Sequence, residues 1–198
     1  PDNEAARIEA LQLLKLLDTP AEERFDRITR IAKHMFSVPI ALITLVDSNR
    51  QWFKSKQGLD TEQTPRSVSF CGHAIGQQQP MVINDTKENP RFEDNPLVTG
   101  PPHIRFYAGC PIRSPSNFAI GTLCLIDNQP RNMSDEEITM LKELATLVEQ
   151  EFKVTTMITI DDFRKLELRI GEITSAEPHP NADRLYVVRV RIGETERS

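Results

Sequence analysis

The sequence has few cysteines and no long apolar run. Its three cysteines, Cys71, Cys110 and Cys124, form no Cys-x-x-Cys pair. An odd number without such a pair is unlike the disulfide framework of a small secreted domain, which favours a reducing, cytoplasmic location. No stretch approaches the ~20 apolar residues of a transmembrane helix, and no secretory signal is visible. We therefore expect no membrane partner.

The short motifs of several common catalytic sites are also missing. The chain contains no P-loop, no Gly-x-Gly-x-x-Gly, no His-Glu-x-x-His and no Gly-x-Ser-x-Gly. These absences predict that no residue is catalytic and that no metal is bound, and they leave any cofactor unidentified.

Charge and composition indicate a globular protein without a strong electrostatic preference. The net charge is −5, the hydrophobic fraction is 38% and the mean hydropathy is −0.41. Nucleic-acid binding by the whole chain would call for clustered positive charge, which this balance does not supply.

Apolar spacing predicts three long helices. Residues 4–17 carry leucines and isoleucine at steps of three, and a second helix runs to about Phe36. Thr19, Pro20 and Glu22 form the pattern of a capping box at the start of that second helix. Ser134 and Glu137 form another, which opens a helix with an apolar stripe as far as Phe152. This stripe either packs on the sheet of its own chain or also pairs with a second chain.

Five strands are predicted between the second and third helices. The run 38–46 is almost entirely apolar and is typical of a central strand covered on both faces. The other four are 50–59, 80–84, 104–112 and 118–126. Together with the helices they predict an α+β domain with an antiparallel sheet over residues 1–152.

Residues 153–198 have a different pattern. A short helix that opens at Thr159, strands at 166–174 and 185–192, and a turn at 178–183 are predicted. Basic and acidic side chains balance in this segment, which argues against tRNA binding by this segment alone. So short a segment is expected to be incomplete, docked on the first domain or paired with another chain.

Several ordered blocks resemble a GAF domain of the type found in bacterial sensor histidine kinases and diguanylate cyclases. The blocks are LLDTPAEERFDRITRIAKHMFSVPIALITLVDSNRQWFKSKQGL, SFCGHAI, NPRFEDNPLVTGPPHIRFYAGCPI and IGTLCLIDNQPR. The resemblance covers roughly residues 4–152. It implies a bundle of terminal helices on one face of the sheet and a ligand pocket, closed by loops, on the other. It also implies a dimeric signalling input that binds a small molecule without catalysis, with an output kinase or cyclase domain outside this chain.

The segment TIDDFRKLELRIGEITSAEPHPNADRLYVVRVRIG is similar to the first part of the tRNA-binding OB-fold domain appended to methionyl-tRNA synthetases. The resemblance implies a partial OB-like β segment over residues 153–198. It makes tRNA a possible partner through Arg184, Arg189 and Arg191, with the GAF-like part then serving as the dimerisation unit.

The predicted pocket lies between the sheet and a lid at residues 85–103. Its candidate ligand-binding residues combine aromatic, thiol and polar groups near that lid: Phe70, Cys71, His73, Asp85, Phe92, Asn95, Arg105, Tyr107 and Gly109. Small Gly109 beside Tyr107 is expected to leave room for a ligand. Arg105 either meets an anionic ligand or forms a salt bridge to the lid.

The cysteines admit two interpretations. Cys71 is either a buried core thiol or a redox group, because free-methionine-(R)-sulfoxide reductases resemble GAF domains and keep a cysteine in a similar context. The lid at residues 85–103 has no cysteine, whereas that chemistry needs one there, so the reductase is the weakest alternative. Cys110 and Cys124 lie on neighbouring predicted strands and could be close together.

Overall fold

A computed structural model describes residues 3–155, 172–178, 186–192 and 195–197. The chain divides into two units, Pro1–Met157 and Ile158–Ser198.

The first unit contains five α-helices, two short 3-10 helices (Arg66–Val68 and Thr86–Glu88) and six strands in the described residues. The helices are α1 (Glu4–Leu13), α2 (Glu23–Met35), α3 (Phe70–Ala74), α4 (Pro96–Thr99) and α5 (Asp135–Thr155). The strands are β1 (Ile40–Val46), β2 (Arg50–Gln57), β3 (Gln63–Pro65), β4 (Met81–Ile83), β5 (Phe106–Arg113) and β6 (Ala119–Asp127).

All six strands form one antiparallel sheet in the order β3-β2-β1-β6-β5-β4. The predicted α+β class with an antiparallel sheet is confirmed. The five predicted strands are present, with ends shifted by one or two residues. The short strand β3 was not predicted, because three residues that include Pro65 carry no alternating pattern.

Helices α1, α2 and α5 cover one face of the sheet. Side chains at alternate positions of the strands, such as Ile43 in β1 and Leu123 in β6, join the apolar stripes of these helices in one buried cluster. Phe25 of α2 and Phe152 of α5 meet in this cluster, with ring centroids 6.0 Å apart. This arrangement is the terminal-helix layer that the sequence predicts.

The opposite face of the sheet carries a second buried cluster. Leu42, Tyr107 and Cys124 are the strand residues at its centre, and α3 and the segment 85–104 pack over them. Since neighbouring strand residues point to opposite faces, the two clusters share the same three central strands.

Of the two capping boxes predicted from the sequence, the structure contains one. The Ser134 hydroxyl accepts the amide of Glu137 at 3.2 Å, and a Glu137 carboxylate oxygen accepts the amide of Ser134 at 2.9 Å, so this capping box is confirmed. The capping box expected at Thr19 is wrong. The Thr19 hydroxyl donates to the carbonyl of Leu16 at 2.7 Å, and α2 begins at Glu23.

In the second unit, the described residues form a three-stranded antiparallel sheet. Its strands are β7 (Glu172–Pro178), β8 (Tyr186–Ile192) and β9 (Thr195–Arg197), in the order β7-β8-β9. The predicted strand 185–192 corresponds to β8, whereas that predicted at 166–174 overlaps β7 only at its end. The helix predicted at Thr159 lies outside the described residues, as does most of the predicted turn.

Candidate functional site

A cavity of about 200 Å³ lies on the face of the sheet opposite the three long helices. Strands β1, β5 and β6 form its floor, α3 closes one side, and the end of the segment 85–104 covers it. Exposed Thr61 and Pro101 mark where it meets solvent. The residues that line it are Ile40, Leu42, Gln51, Phe53, Leu59, Thr61, Thr64, Phe70, Cys71, Leu97, Pro101, Pro102, Ile104, Tyr107 and Ile126.

The cavity wall is mostly apolar, and no Asp, Glu, Lys, Arg or His occurs among the described residues that line it. Gln51 is already engaged, because its side-chain oxygen accepts the hydroxyl of Ser69. The Thr64 hydroxyl is buried and, within the described part of the chain, has no hydrogen-bond partner. A buried polar group without a partner is costly, so Thr64 is the place where a ligand atom would be stabilised.

Thiol and phenol groups form the inner wall of the cavity. The sulfur of Cys71 lies 3.8 Å from the sulfur of Cys124, and the Tyr107 hydroxyl donates to Cys71 at 3.3 Å. Cys124 is 53 positions further along the chain and sits in the middle of β6. All three side chains are buried.

The surroundings shift the pKa values of Cys71, Cys124 and Tyr107 in different directions. Burial opposes ionisation of Cys71, but hydrogen bonds from Cys124 and from neighbouring hydroxyl groups outweigh it and lower the pKa of Cys71 to about 6. The hydrogen bond with Cys71, together with burial, raises the pKa of Cys124. Burial, and then the nearby charge of Cys71, raises the pKa of Tyr107. Cys71 is therefore the more acidic of the two thiols.

Gly109 does not open space for a ligand. A Cβ at this position would lie 2.1 Å from the Tyr107 hydroxyl. The phenol of Tyr107 thus occupies the room that the missing side chain leaves, and the role expected for Gly109 is replaced by a packing role.

Aromatic stacking joins α3 to the lid. Phe70 and Phe92 stack with centroids 4.5 Å apart, and the ring of His73 meets Phe92 edge-on at 5.3 Å. The guanidinium of Arg91 lies 2.9 Å from the His73 ring nitrogen Nδ1. Burial, and then the charge of Arg91, lowers the pKa of His73. Phe92 therefore anchors the lid to α3 by stacking on Phe70. Phe92 does not line the cavity.

Two polar residues of the predicted pocket bind each other. Arg105 donates from Nε and Nη2 to the two carboxylate oxygens of Asp85, at 2.8 and 2.6 Å. The guanidinium holds the pKa of Asp85 below its ordinary value, and the carboxylate raises that of Arg105. Of the two interpretations of Arg105, the structure shows the salt bridge to the lid.

The Asn95 side chain makes two hydrogen bonds that stabilise the lid. Its side-chain oxygen accepts the amide of Leu97 at 2.9 Å, which caps α4, and its amide donates to the carbonyl of Val68 at 3.0 Å. Asn95 therefore ties the lid to the segment that precedes α3.

Three of the predicted pocket residues, Phe70, Cys71 and Tyr107, line the cavity, and the other six lie outside its wall. Sequence reasoning missed Leu42 and Ile126, although the alternation of β1 and β6 could have placed them on this face. It also missed Thr64, for which no local signal exists.

Cys110 and Cys124 lie on opposite faces of the sheet, so the expected proximity of their thiols is wrong. Cys110 packs with the helices, and Cys124 lies on the cavity side next to Gly109. In the second unit, Arg189 and Arg191 belong to β8, and Arg184 lies outside the described residues.

No group of three or more His, Cys, Asp or Glu side chains suited to a metal ion occurs among the described residues. In the same part of the chain, no helix has the length and apolar character needed to cross a bilayer.

Residues 20–152 match the sequence profile of the GAF domain family. A cyclic di-GMP phosphodiesterase of Pseudomonas aeruginosa is 42% identical over 149 residues, which are 75% of this chain and 25% of that protein. The methionine–tRNA ligase of Thermococcus kodakarensis is 48% identical over 48 residues, which are 24% of this chain and 6% of the ligase. The chain thus spans a small part of the length of either relative.

Solved structures show the same fold. The GAF domain of the Acinetobacter phosphoenolpyruvate-protein phosphotransferase has a TM-score of 0.57 at 16% identity and covers 75% of this chain and 93% of its own. The free methionine-R-sulfoxide reductase of Neisseria meningitidis has a TM-score of 0.56 at 20% identity, over 78% and 93%. The profile match lies within the first unit, and this chain belongs to the GAF domain family.

Proposed function

We propose that the first unit is a sensory module whose cavity binds a small, uncharged and mostly apolar molecule. The observation that carries this proposal is a wall that has no Asp, Glu, Lys, Arg or His among its described residues and has one buried, unpartnered hydroxyl at Thr64. A charged ligand would lose its hydration without gaining a carboxylate, ammonium, guanidinium or imidazole partner, which costs several kcal/mol. A ligand with one hydrogen-bonding atom would instead satisfy Thr64.

The volume of the cavity limits the size of the ligand that it can hold. An apolar cavity of about 150 Å³ is large enough for benzene, and this one measures about 200 Å³. A single six-membered ring with a carbonyl or hydroxyl group fits that space. A cyclic dinucleotide is both too large and doubly anionic, so we do not propose it as the ligand.

Binding would act on the lid and the sheet, and the module would regulate an output domain outside this chain. Similarity to a cyclic di-GMP phosphodiesterase supports an output of the signalling class. We propose no catalysis by the GAF unit itself, since no Asp, Glu, Lys, Arg or His lines the cavity among the described residues.

The test uses a matched pair of ligands, cyclohexanone and methylcyclohexane, titrated by NMR into the full chain and into Thr64→Val. We expect the wild-type chain to bind both. Thr64→Val keeps the shape and removes the hydroxyl, so it should weaken cyclohexanone about tenfold, the equivalent of one hydrogen bond of ~1.4 kcal/mol, and leave methylcyclohexane unchanged. Absence of binding by either ligand, with no small molecule retained on the purified chain in native mass spectrometry, would contradict the proposal.

We also propose a homodimer through the helix layer. Ile31 and Met35 of α2 are 47% and 50% exposed, and Met140 and Leu147 of α5 are 40% and 45% exposed. The spacing of each pair places its members on one side of its helix. Such exposed apolar positions on two adjacent helices favour burial against a second copy.

The free-methionine-sulfoxide reductase alternative has weaker support. The likeness to the Neisseria enzyme shows the fold alone, and the lid at residues 85–103 carries no cysteine. Incubation with free methionine sulfoxide and a thiol reductant is the direct assay, and multiple turnovers would establish this activity in place of the sensory role.

A second candidate function is tRNA binding by the second unit. It is favoured by the similarity of this region to methionine–tRNA ligases, and β8 contributes Arg189 and Arg191. Filter binding of tRNA to the full chain over a salt series tests it, because phosphate contacts make affinity fall steeply with salt. Lack of binding at low salt would remove this function.

A further inference from the structure

The thiols of Cys71 and Cys124 are close enough to react with each other. Their sulfurs are 3.8 Å apart, whereas a disulfide bond is about 2.05 Å long. Cys71 belongs to α3, a helix of five residues at the edge of the cavity cluster, and Cys124 to the central strand β6. The two sulfurs must therefore move closer by less than about 2 Å to form the bond. The short helix α3 can move by this amount more easily than β6, which is paired on both sides.

One of the two sulfurs is prepared to act as a nucleophile. Cys71 receives the hydroxyl of Tyr107 at 3.3 Å. The buried hydroxyls of Thr44 and Thr122, which lie 3.1 Å from each other, also lower the pKa of Cys71. The thiolate is the reactive form of cysteine.

The third cysteine lacks these features. Cys110 lies on the helix side of the sheet, where its sulfur is 3.8 Å from the carbonyl of Pro111. Burial, and then the charge of Glu149, raises its pKa to about 11. Cys110 is therefore the internal control for any thiol chemistry of this chain.

The cavity gives small molecules access to Cys71. Cys71 lines the cavity, whereas Cys124 lies behind it. Hydrogen peroxide has two heavy atoms and is far smaller than the available space. The geometry thus places the Cys71 thiol in the wall of the cavity, with a second thiol next to it and out of reach of solvent.

We propose that Cys71 and Cys124 are a dithiol site that hydrogen peroxide converts to an intramolecular disulfide. The Cys71 thiolate attacks one peroxide oxygen, the O–O bond breaks, and the departing hydroxide takes a proton to become water. The resulting sulfenic acid is attacked by the sulfur of Cys124, whose proton leaves with the hydroxyl group as a second water. In sum, two thiols lose two electrons and two protons, and one peroxide is reduced to two waters.

The consequence of this oxidation is a covalent link between α3 and β6. Phe70, beside Cys71, stacks on Phe92 of the lid, so the link fixes the lid's anchor to the floor of the cavity. Disulfide formation is independent of the identity of the ligand. It requires only the two sulfurs and an opening wide enough for peroxide.

The test is tryptic peptide mapping of the full chain after treatment with a small excess of hydrogen peroxide. Trypsin separates the cysteines into the peptides 67–87, 106–113 and 114–131. We expect 67–87 and 114–131 joined by a disulfide that dithiothreitol reverses, and 106–113 with its thiol free. The variant Cys110→Ala should form the same link, and Cys71→Ala and Cys124→Ala should not.

The wild-type chain alone decides the result, so a poorly folded variant does not obscure it. Over-oxidation of Cys71 to the sulfinic acid without a link to 114–131 would overturn the proposal. So would oxidation of Cys110 at the same rate as Cys71, or three unreacted thiols in a chain whose circular dichroism shows it folded.

Discussion

At the scale of single residues, Tyr107 and Gly109 set the inner wall of the cavity together. They lie two positions apart on the same face of β5, so that a side chain at 109 and the phenol at 107 would compete for one volume. The absence of a Cβ lets the phenol lie back and reach the sulfur of Cys71.

The variant Gly109→Ala tests this fit. Its Cβ would lie 2.1 Å from the Tyr107 oxygen, so the phenol must move and lose its bond to Cys71. Overpacking of this kind costs about 2 kcal/mol of unfolding free energy, measurable by urea denaturation. As control, Gly76→Ala meets its nearest atom at 3.4 Å and should change stability far less. Equal losses in the two variants would contradict the packing role of Gly109.

Glu4 predicts a dependence of stability on pH. Its carboxylate accepts hydrogen bonds from Arg7 at 2.9 and 2.6 Å and from Arg66 at 2.6 Å. The Arg7 bond is the largest cause of a pKa lowered from an ordinary 4.5 to about 2. Because the folded pKa is the lower one, this stabilisation is complete above pH 4.5 and is lost as the pH falls towards 2.

The measurement compares Glu4→Gln with the wild-type chain in urea at several pH values. Glu4 is 36% exposed, so solvent screens the interaction and the difference near neutral pH should be about 1 kcal/mol. It should shrink steadily below pH 4.5. A difference that stays constant down to pH 2 would assign the effect to packing instead.

At the scale of elements, the two capping patterns show what a local motif can and cannot predict. Ser134 and Glu137 satisfy each other's amides, and α5 starts where expected. Thr19 has the same local pattern, but the ammonium of buried Lys54 donates to its hydroxyl at 2.6 Å. Lys54 is 35 positions away, so a tertiary contact takes the oxygen that the helix would have used.

At the scale of elements, the Asn95 cap of α4 helps to hold the lid in place. Asn95→Ala removes the acceptor for the Leu97 amide and the donor to the Val68 carbonyl. We expect faster hydrogen exchange at the amides of α4 and a loss of about 1 kcal/mol in unfolding free energy. The exposed Asn128 provides the control variant Asn128→Ala, which should leave both measurements unchanged. Unchanged exchange in Asn95→Ala would mean that the other lid contacts, such as the Phe70–Phe92 stack and the Arg105–Asp85 salt bridge, hold α4 without this cap.

At the scale of the whole molecule, the sequence predicts the architecture better than the site. Apolar alternation is a local property, so the strands, the helix layer and the two faces of β5 could be derived from it. Alternation from Phe106, which packs with the helices, would place Ile104 on the same side, but Ile104 precedes the strand and packs with the cavity cluster. The contact between Cys71 and Cys124 and the unpartnered Thr64 hydroxyl arise only when distant segments meet, and no local pattern encodes them.

Oligomeric state is the prediction at this scale. Leu147→Glu places a charge on the exposed apolar side of α5 and should convert a dimer to a monomer in analytical ultracentrifugation, because burying an unpaired carboxylate is unfavourable. Gln129→Glu, in the exposed turn after β6, adds the same charge and should leave the dimer intact. A wild-type chain that sediments as a monomer at high concentration would contradict the helix-layer interface.

Strand β6 separates two very different environments by the thickness of one backbone. Cys124 faces the cavity, while its neighbours Leu123 and Leu125 are buried among the helices. A displacement of Cys124 therefore moves both leucines through the peptide bonds that join them, without any intermediate side chain. A shift of β6 caused by a ligand on the cavity side is therefore transmitted to the helix layer through adjacent residues of the same strand.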